Sequence, residues 1–369
     1  MKFTCEKNEL YEACLIASRA VPSKSPMPSL EGLKLEISDK LKITGYDLKK
    51  AIYTTVEIFN AEEGIMLVNA RLFSEMLRRM PEGKISVSCN EKNNINVKCG
   101  KSEYNYSGLD IEEYPEMPVF DELKSIEIPQ NILKNMIQKT LFAVSKEEIR
   151  PIYTGTLFEI IEDELTLVSV DGYRLARRIE KIQSSKLEDC SFVVPGFTLS
   201  DVEKICNDTD DPISILIGEK HISFRIGETV VISRRLEGEF LNHRKSVPES
   251  FRHVIKVDKQ EFTSVIERVS LMLSDSNTNP IRIIFDDSNI NCYCSSVKGK
   301  AEDMCVCEGS GDGLEIGFND RYLLEALKAA EADEIAICIN TASSPCIIKA
   351  SDESDSFTYM ILPVRIRTN

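Results

Sequence analysis

Apolar residues recur along this chain with two periods, and the two alternate in a fixed order. The run Leu165-Thr-Leu-Val-Ser-Val170 repeats every second residue and predicts a β-strand. Leu10, Cys14 and Ala17 fall at helical spacing and predict a helix over residues 7–19. Reading onward, the first segment gives a strand at 2–5, that helix, and strands at 33–37, 41–44, 51–59 and 65–68. A helix over 70–80, stopped by Pro81, and strands around 85–89, 95–99 and 104–107 complete it. An acidic, proline-closed stretch, residues 108–118, reads as a linker.

The order then returns. A strand at 125–129 precedes a helix over 131–145, strands at 153–161, 165–170, 173–182 and 191–194, and a helix over 197–206. Strands at 213–217, 222–226 and 229–234 close this unit. The third copy has a strand at 253–257, a helix over 259–273, and strands at 281–285, 290–294, 300–307 and 314–318. A helix over 320–330 and strands at 335–339, 346–350 and 357–363 finish the chain. Matching the second helices sets Phe73-Ser-Glu-Met, Leu199-Ser-Asp-Val and Leu323-Leu-Glu-Ala in register. The fold class is therefore α+β: three tandem copies of one domain, two helices on antiparallel sheets, at 1–118, 119–249 and 250–369.

One hairpin draws attention within this repeat. Asp171-Gly172 supplies a tight turn, after which Tyr173, Arg174 and Leu175 resume an extended course. An aromatic, a guanidinium and a leucine at a hairpin mouth form either a binding surface or an ordinary strand start. Thr44-Gly-Tyr-Asp-Leu48 occupies the same slot in the first copy, so the turn belongs partly to the architecture. In that alignment Arg174 replaces Asp47.

The formal charge of −15 argues at first against a nucleic-acid partner. Its placement changes the picture. The six predicted helices carry a net +3, leaving −18 on the rest of the chain. A ~120-residue domain is roughly 33 Å wide, and six of them, from two chains, would close around a hole roughly 30 Å across. Helices lining such a hole would leave the acidic balance outside. The N-terminus lacks the apolar core of a signal peptide, no apolar run spans a bilayer, and twelve scattered cysteines suit a reducing cytoplasm.

Enzyme chemistry finds little support. Cys292-Tyr-Cys294 and Cys305-Val-Cys307 invite a zinc site, but the spacing of structural zinc ligands is missing. The one-residue gaps are read as turning the paired sulfurs to opposite strand faces. Gly309-Ser-Gly-Asp-Gly313 lacks the Lys-Ser/Thr of a phosphate loop. Neither a catalytic residue nor a cofactor or metal is assigned. The competing readings are an acidic repeat-built scaffold and a metal or thiol enzyme.

Along nearly its whole length the chain resembles the β sliding clamps of bacterial DNA polymerase III. The matching segments include Leu30-Glu-Gly-Leu, Thr44-Gly-Tyr-Asp-Leu48, Leu67-Val-Asn-Ala-Arg-Leu-Phe73 and Tyr114-Pro-Glu-Met-Pro118. They continue through Arg150-Pro-Ile-Tyr-Thr-Gly155, Val170-Asp-Gly-Tyr-Arg-Leu175, Leu236-Glu-Gly-Glu-Phe240 and Ile361-Leu-Pro-Val-Arg-Ile366. The resemblance implies a head-to-tail homodimeric ring around duplex DNA, without sequence preference and without bond chemistry of its own. It implies as partners the replicative polymerase alpha subunit, an ATP-using clamp loader and other proteins bearing clamp-binding motifs.

It also implies a partner-binding cleft between the second and third domains. Tyr153, Val170, Gly172, Tyr173, Arg174 and Leu175 would form one part, and Leu241, Lys245 and Ser246 another. Asn319, Tyr322, Ala342 and Ser344 would join the tail Met360, Ile361, Leu362, Pro363, Val364, Arg365 and Ile366. Leu175, Leu362 and Val364 would offer an apolar floor, Gly172 room for a partner backbone, and Arg174 and Arg365 polar contacts at the rim. Leu241 stands where a proline is common in the family and Ser246 where an aliphatic residue is common. Arg367-Thr-Asn369 runs past the usual end.

The DNA-facing expectation names Lys24, Arg71, Arg78 and Arg79, then Lys134, Lys139 and Lys204, then Arg268, Arg321 and Lys328. Their contacts would be to phosphate. The family pattern sets Tyr104 against Met272 and Leu273 at the joint between copies, although ordinary core positions would suit them equally.

Overall fold

A computed structural model of the protein describes residues 1–117, 124–182, 189–273, 280–352 and 356–366. The domain boundary expected at 118/119 and the extension Arg367-Thr-Asn369 lie outside the described residues. The first repeat runs β1 (Lys2–Glu6), α1 (Lys7–Ser18), β2 (Gly32–Ile37), β3 (Leu41–Tyr46), β4 (Lys50–Val56) and β5 (Phe59–Glu62). It continues with β6 (Gly64–Asn69), α2 (Ala70–Arg79), β7 (Lys84–Cys89), β8 (Asn94–Cys99) and β9 (Ser102–Ser107).

The second repeat has β10 (Lys124–Pro129), α3 (Gln130–Gln138), β11 (Gly155–Ile161), β12 (Glu164–Val170) and β13 (Arg174–Lys181). Then follow β14 (Cys190–Pro195), α4 (Gly196–Ile205), β15 (Pro212–Ile217), β16 (His221–Ile226) and β17 (Thr229–Arg234). A one-turn helix, α5 (His243–Ser246), precedes the third repeat. That repeat has β18 (His253–Asp258), α6 (Lys259–Ser270), β19 (Ile281–Phe285), β20 (Asn289–Ser296), β21 (Gly299–Val306) and β22 (Leu314–Phe318). It ends with α7 (Asp320–Ala329), β23 (Glu334–Ile339), β24 (Cys346–Ala350) and β25 (Phe357–Ile361).

Two compact units result, Met1–Asn131 with Ser200–Arg235, and Ile132–Leu199 with Leu236–Asn369. In the first, the eight-stranded sheet runs β10-β15-β16-β17-β4-β3-β2-β6. Four strands of the second repeat are thus continued by four of the first, across the antiparallel pair β17·β4. In the second unit, the sheet runs β14-β11-β12-β13-β25-β24-β23-β18, joined at β13·β25. The two sheets have the same construction, with β4 and β13, and β17 and β25, in equivalent places. Each unit also holds a smaller sheet, β5-β1-β7-β8-β9 in the first and β21-β20-β19-β22 in the second. Among the described residues these sheets end at β5 and β9 in the first unit and at β21 and β22 in the second, where Val364 bridges to Gly317 of β22.

Local chemistry sets the helix starts. Asn69, Asp258 and Asn319 each end a strand or its connection in an extended conformation, and the side-chain oxygen accepts an N–H of the first turn. The acceptor distances are 2.9 Å to Leu72, 2.7 Å to Glu261 and 3.2 Å to Tyr322. Behind the helices lie separate cores. Phe3, Leu10, Leu33 and Phe73 anchor that of the first repeat. Phe262, Phe285, Phe318 and Leu327 anchor that of the third.

Several expectations change. The helix expected over 131–145 ends at Gln138, because the buried Thr140 hydroxyl donates to the Met136 carbonyl (2.8 Å) and Leu141–Ala143 tightens into a 3₁₀ turn. The strand expected over 51–59 breaks after Val56, and β5 pairs with β1 instead. Tyr173 lies in the turn, before β13 begins.

The four cysteines of β20 and the segment following it are all buried in the core of the third repeat. Residues i and i+2 of a strand share a face, so the expected opposite orientation is wrong. Their surroundings are Ile and Phe side chains, and burial raises the thiol pKa values, that of Cys305 to about 12. These thiols pack.

Candidate docking cleft and DNA-facing cations

The cleft expected between the second and third repeats falls wholly within the second unit. Its centre is the β12–β13 hairpin. Asp171 Oδ1 accepts the N–H of Tyr173 (2.9 Å) and of Arg174 (3.1 Å), closing an Asx turn. Gly172 takes φ +94°, and a Cβ there would meet nothing within 4 Å, so the positive φ rather than crowding calls for glycine. Tyr173 is left 64% exposed.

Beneath the turn, Val170, Leu175 and Met360 share an apolar cluster with Leu157, Cys338 and Ile347. Tyr153, Phe240, Val247 and Phe251 pack against its margin. Tyr153 and Phe240 meet edge to face with ring centroids 5.5 Å apart. Leu241 stands 37% exposed at the start of the next loop. Asn242 caps α5 by accepting the Lys245 N–H (3.2 Å), and the Ser246 hydroxyl donates to the Asn242 carbonyl (3.0 Å). Lys245 projects into solvent. His243 is buried with Nε2 3.3 Å from Glu159, and burial, partly opposed by that carboxylate, lowers its pKa.

The tail supplies the other wall. Register sets Leu175 opposite Met360 and Arg174 opposite Ile361. Beyond β25 the Leu362 N–H donates to the Tyr173 carbonyl (2.8 Å), and the Val364 N–H to Gly317 (2.8 Å). A Cβ on Gly317 would lie 2.6 Å from the Val364 carbonyl oxygen, so only glycine admits the tail here. Leu362, Pro363 and Ile366 are half-buried, whereas Val364 and Arg365 are exposed. The register Cys346–Ile361 brings the turn holding Ala342 and Ser344 beside the start of the tail. Ser344 Oγ closes that turn on Thr341, accepting its N–H at 2.7 Å.

Two expected cleft residues do other work. Ile361 is 1% exposed and points into the core of the third repeat, as strand alternation from Met360 requires. Arg174 does not stand at the rim. It is 7% exposed, its Nε bonds Asp171 (2.9 Å), and its Nη atoms bond Glu325 and the Phe142 carbonyl. Its guanidinium lies 4.3 Å from the Tyr322 ring centroid. Arg174 therefore fastens the hairpin to α7, whose cap is Asn319.

The expected DNA-facing cations divide by their partners. Six have a carboxylate: Arg78 (2.7 Å) and Arg79 (3.5 Å) share Glu75, and Lys139 meets Glu331 at 3.7 Å. Arg268 meets Asp303 (2.6 Å), Arg321 meets Glu325 (3.2 Å) and Lys328 meets Glu267 (2.8 Å). Lys24, Arg71 and Lys204 are exposed and form no ion pair among the described residues. Lys134 is half-buried on α3.

Comparison with known proteins settles the family. The N-terminal-domain model of the DNA polymerase III beta subunit matches residues 1–118, the central-domain model 127–242 and the C-terminal-domain model 244–365. The beta sliding clamp of Bacillus subtilis is 31% identical over 377 residues, covering 99% of this chain and 100% of that protein. The chain belongs to the DNA polymerase III beta-subunit family of sliding clamps.

The likeness extends to three dimensions. The crystal structure of the Bacillus subtilis DNA polymerase sliding clamp superposes with a TM-score of 0.94 over 100% of both chains. A beta-subunit structure from Eubacterium rectale gives 0.95 at 28% identity, again over 100% of both. Three clamp domains of mixed helix and antiparallel sheet are thereby shown for this chain.

In this clamp Tyr104 on β9 is 39% exposed and Met272 half-buried, but Leu273 is buried in the core of the third repeat. The exposed apolar residue at the end of α6 is Leu271, at 72%. Sequence reading missed Phe240, Val247, Phe251 and Ile347. The signal for the first three was the recurrence of large apolar residues within an otherwise charged connection, 236–252. It also missed a repeated ion pair. Lys50, buried at the start of β4, bonds Asp201 on α4, just as Arg174 at the start of β13 bonds Glu325 on α7.

Proposed function

We propose that two copies of this clamp close head to tail into a ring around duplex DNA, and that partners dock in the cleft beside the β12–β13 hairpin. The observation that carries this reading is the build of the two long sheets. Each continues four strands of one repeat with four of the next, while β9 and β21 retain open edges of the two kinds that such a joint consumes. A second copy completes the series. Each copy is read as three domains, 1–118, 119–249 and 250–369.

The ring acts as a processivity factor and makes or breaks no bond. Lys24, Arg71, Arg78, Arg79, Lys134, Lys139, Lys204, Arg268, Arg321 and Lys328 supply sequence-blind phosphate contacts, several of them by exchanging a carboxylate for phosphate. The replicative polymerase alpha subunit, a clamp loader and other motif-bearing proteins place apolar side chains over Val170, Leu175 and Met360. Tyr173, Leu362 and Val364 flank them, and a cytoplasmic setting follows from the role.

Removing residues 362–369 tests the docking site. The truncated chain keeps its dimeric mass by sedimentation and loses binding of a short labelled peptide bearing leucine and phenylalanine. Unchanged peptide affinity would refute the cleft.

A further inference from the structure

Phe240, Val247 and Phe251 of the connection between the second and third repeats pack against the apolar cluster under the hairpin. His243, on α5, lies between them in sequence and is only 4% exposed. An imidazole is out of place in that company unless a polar partner holds it.

The partner is Glu159 of β11. His243 Nε2 lies 3.3 Å from Glu159 Oε2, and the same oxygen accepts a hydrogen bond from Arg244 Nη2 at 2.8 Å. Glu159 follows Leu157 by two residues on one strand, so it stands on the face that carries the apolar cluster. Two adjacent residues of α5 therefore share one carboxylate at the margin of the cleft floor. A four-residue helix has too few internal hydrogen bonds to hold its own place. Asn242 caps α5 and Ser246 closes back on Asn242, but both contacts stay within the connection. Among the described residues, the polar side-chain contacts from α5 to the sheet all run through Glu159.

We propose that Glu159 and His243 are positioning residues for docking, which together seat the wall of Leu241, Lys245 and Ser246 against the sheet only while His243 is neutral. This rests on the cleft reading and adds to it what holds that wall and what releases it.

The tautomer follows from the partner. A carboxylate only accepts, so Nε2 carries the proton and Nδ1 keeps a lone pair. Nδ1 is buried and has no hydrogen-bond partner among the described residues. Protonation would make Nδ1 a buried donor without an acceptor. The charged groups that face His243 are Glu159 of β11, Arg177 of β13 and Arg244 of α5 itself. Arg177 is held in place, donating from Nη2 to Thr358 Oγ1 at 2.8 Å. Burial, opposed by Glu159 and reinforced by the two arginines, keeps the imidazole pKa below the ordinary 6.5. Once His243 is charged, one carboxylate faces three cations, and the readiest relief is for α5 to leave the sheet. Leu241, Lys245 and Ser246 go with it, and a partner meets a cleft that lacks one wall. A site whose competent form is partly populated loses apparent affinity in proportion.

The test uses the full chain and a labelled peptide bearing leucine and phenylalanine but no ionisable side chain. Fluorescence anisotropy gives its affinity at about pH 7.5 and about pH 5.5, and circular dichroism confirms the fold at both. The parent binds roughly threefold more weakly at the lower pH. His243→Gln, which keeps a donor for Glu159 and cannot titrate, changes by less than about 1.5-fold. Glu159→Gln weakens binding roughly threefold already at the higher pH. Calorimetry of the parent in buffers of different ionisation heat needs no variant, since binding at the lower pH releases a proton as the wall is seated. A parent affinity that does not fall, an equal fall in His243→Gln, or no proton release would overturn the role of His243. Unchanged binding by Glu159→Gln would overturn that of Glu159. These results leave the cleft standing, whereas a parent chain that binds no peptide at either pH removes the cleft reading and this one with it.

Discussion

The hairpin from β3 to β4 and the hairpin from β12 to β13 have the same construction. An aspartate, Asp47 or Asp171, accepts the two N–H groups that follow across the turn. The second turn residue takes a positive φ, 71° at Leu48 and 94° at Gly172. A buried cation then opens the next strand and reaches a carboxylate on the second helix of the following repeat. What differs is the surroundings. Beside Gly172 lie Tyr173, the tail from Leu362 and the margin made by Phe240 and Val247, whereas Lys49 and Leu48 face solvent. The turn and its ion pair are therefore architecture, and the proposed docking site is what the tail and the 236–252 connection add to one copy of it.

The ion pairs should separate the hairpins most strongly. Lys50→Met leaves Asp201 in a buried site with, among the described residues, only the distant Arg19 (3.9 Å), and costs about 3–5 kcal/mol. Glu325→Gln costs about 1–2 kcal/mol, since Arg174 keeps Asp171 and the Phe142 carbonyl, and Glu325 is 30% exposed. Denaturant midpoints measure both, and equal losses would deny that the first joint depends more on its ion pair.

Binding should separate them next. Tyr173→Ala lowers the affinity of a labelled motif peptide by roughly tenfold, about 1.4 kcal/mol, while Lys49→Ala leaves it unchanged. Fluorescence anisotropy reads the pair, and a matched loss would place docking elsewhere.

The smallest effect is in pH. His243 on α5 has no counterpart beside the first hairpin, and burial lowers its pKa below the ordinary 6.5. The unfolded chain then binds the proton first, so this stabilisation is complete above about pH 6.5 and is lost as pH falls toward the folded value. Thermal melts of the parent chain and His243→Gln should converge on acidification. A gap that widens instead would contradict the assignment.

Much of this arrangement could be read beforehand. Period-two and helical runs locate nearly every strand and helix of three repeats, because each element buries one face against its own core. The β12–β13 hairpin and the tail were legible as cleft walls only through resemblance to the clamp family. Letter matching placed Asp47 against Arg174, whereas turn geometry pairs Asp47 with Asp171 and Lys50 with Arg174. The Asp-x-x-cation spacing holds that information, but nothing in one dimension says that the cation reaches a helix 151 residues away. Phe240 and Val247 escaped for a related reason, since an irregular connection has no period to reveal which side chains turn inward.

The central claim is topological, and retention on DNA tests it most directly. Clamp loaded by its loader onto a nicked circular duplex should stay bound through gel filtration at moderate salt. Linearising that circle with a single cut should release it by sliding. Equal retention on circular and linear DNA, or none on either, would contradict a ring that encircles the duplex.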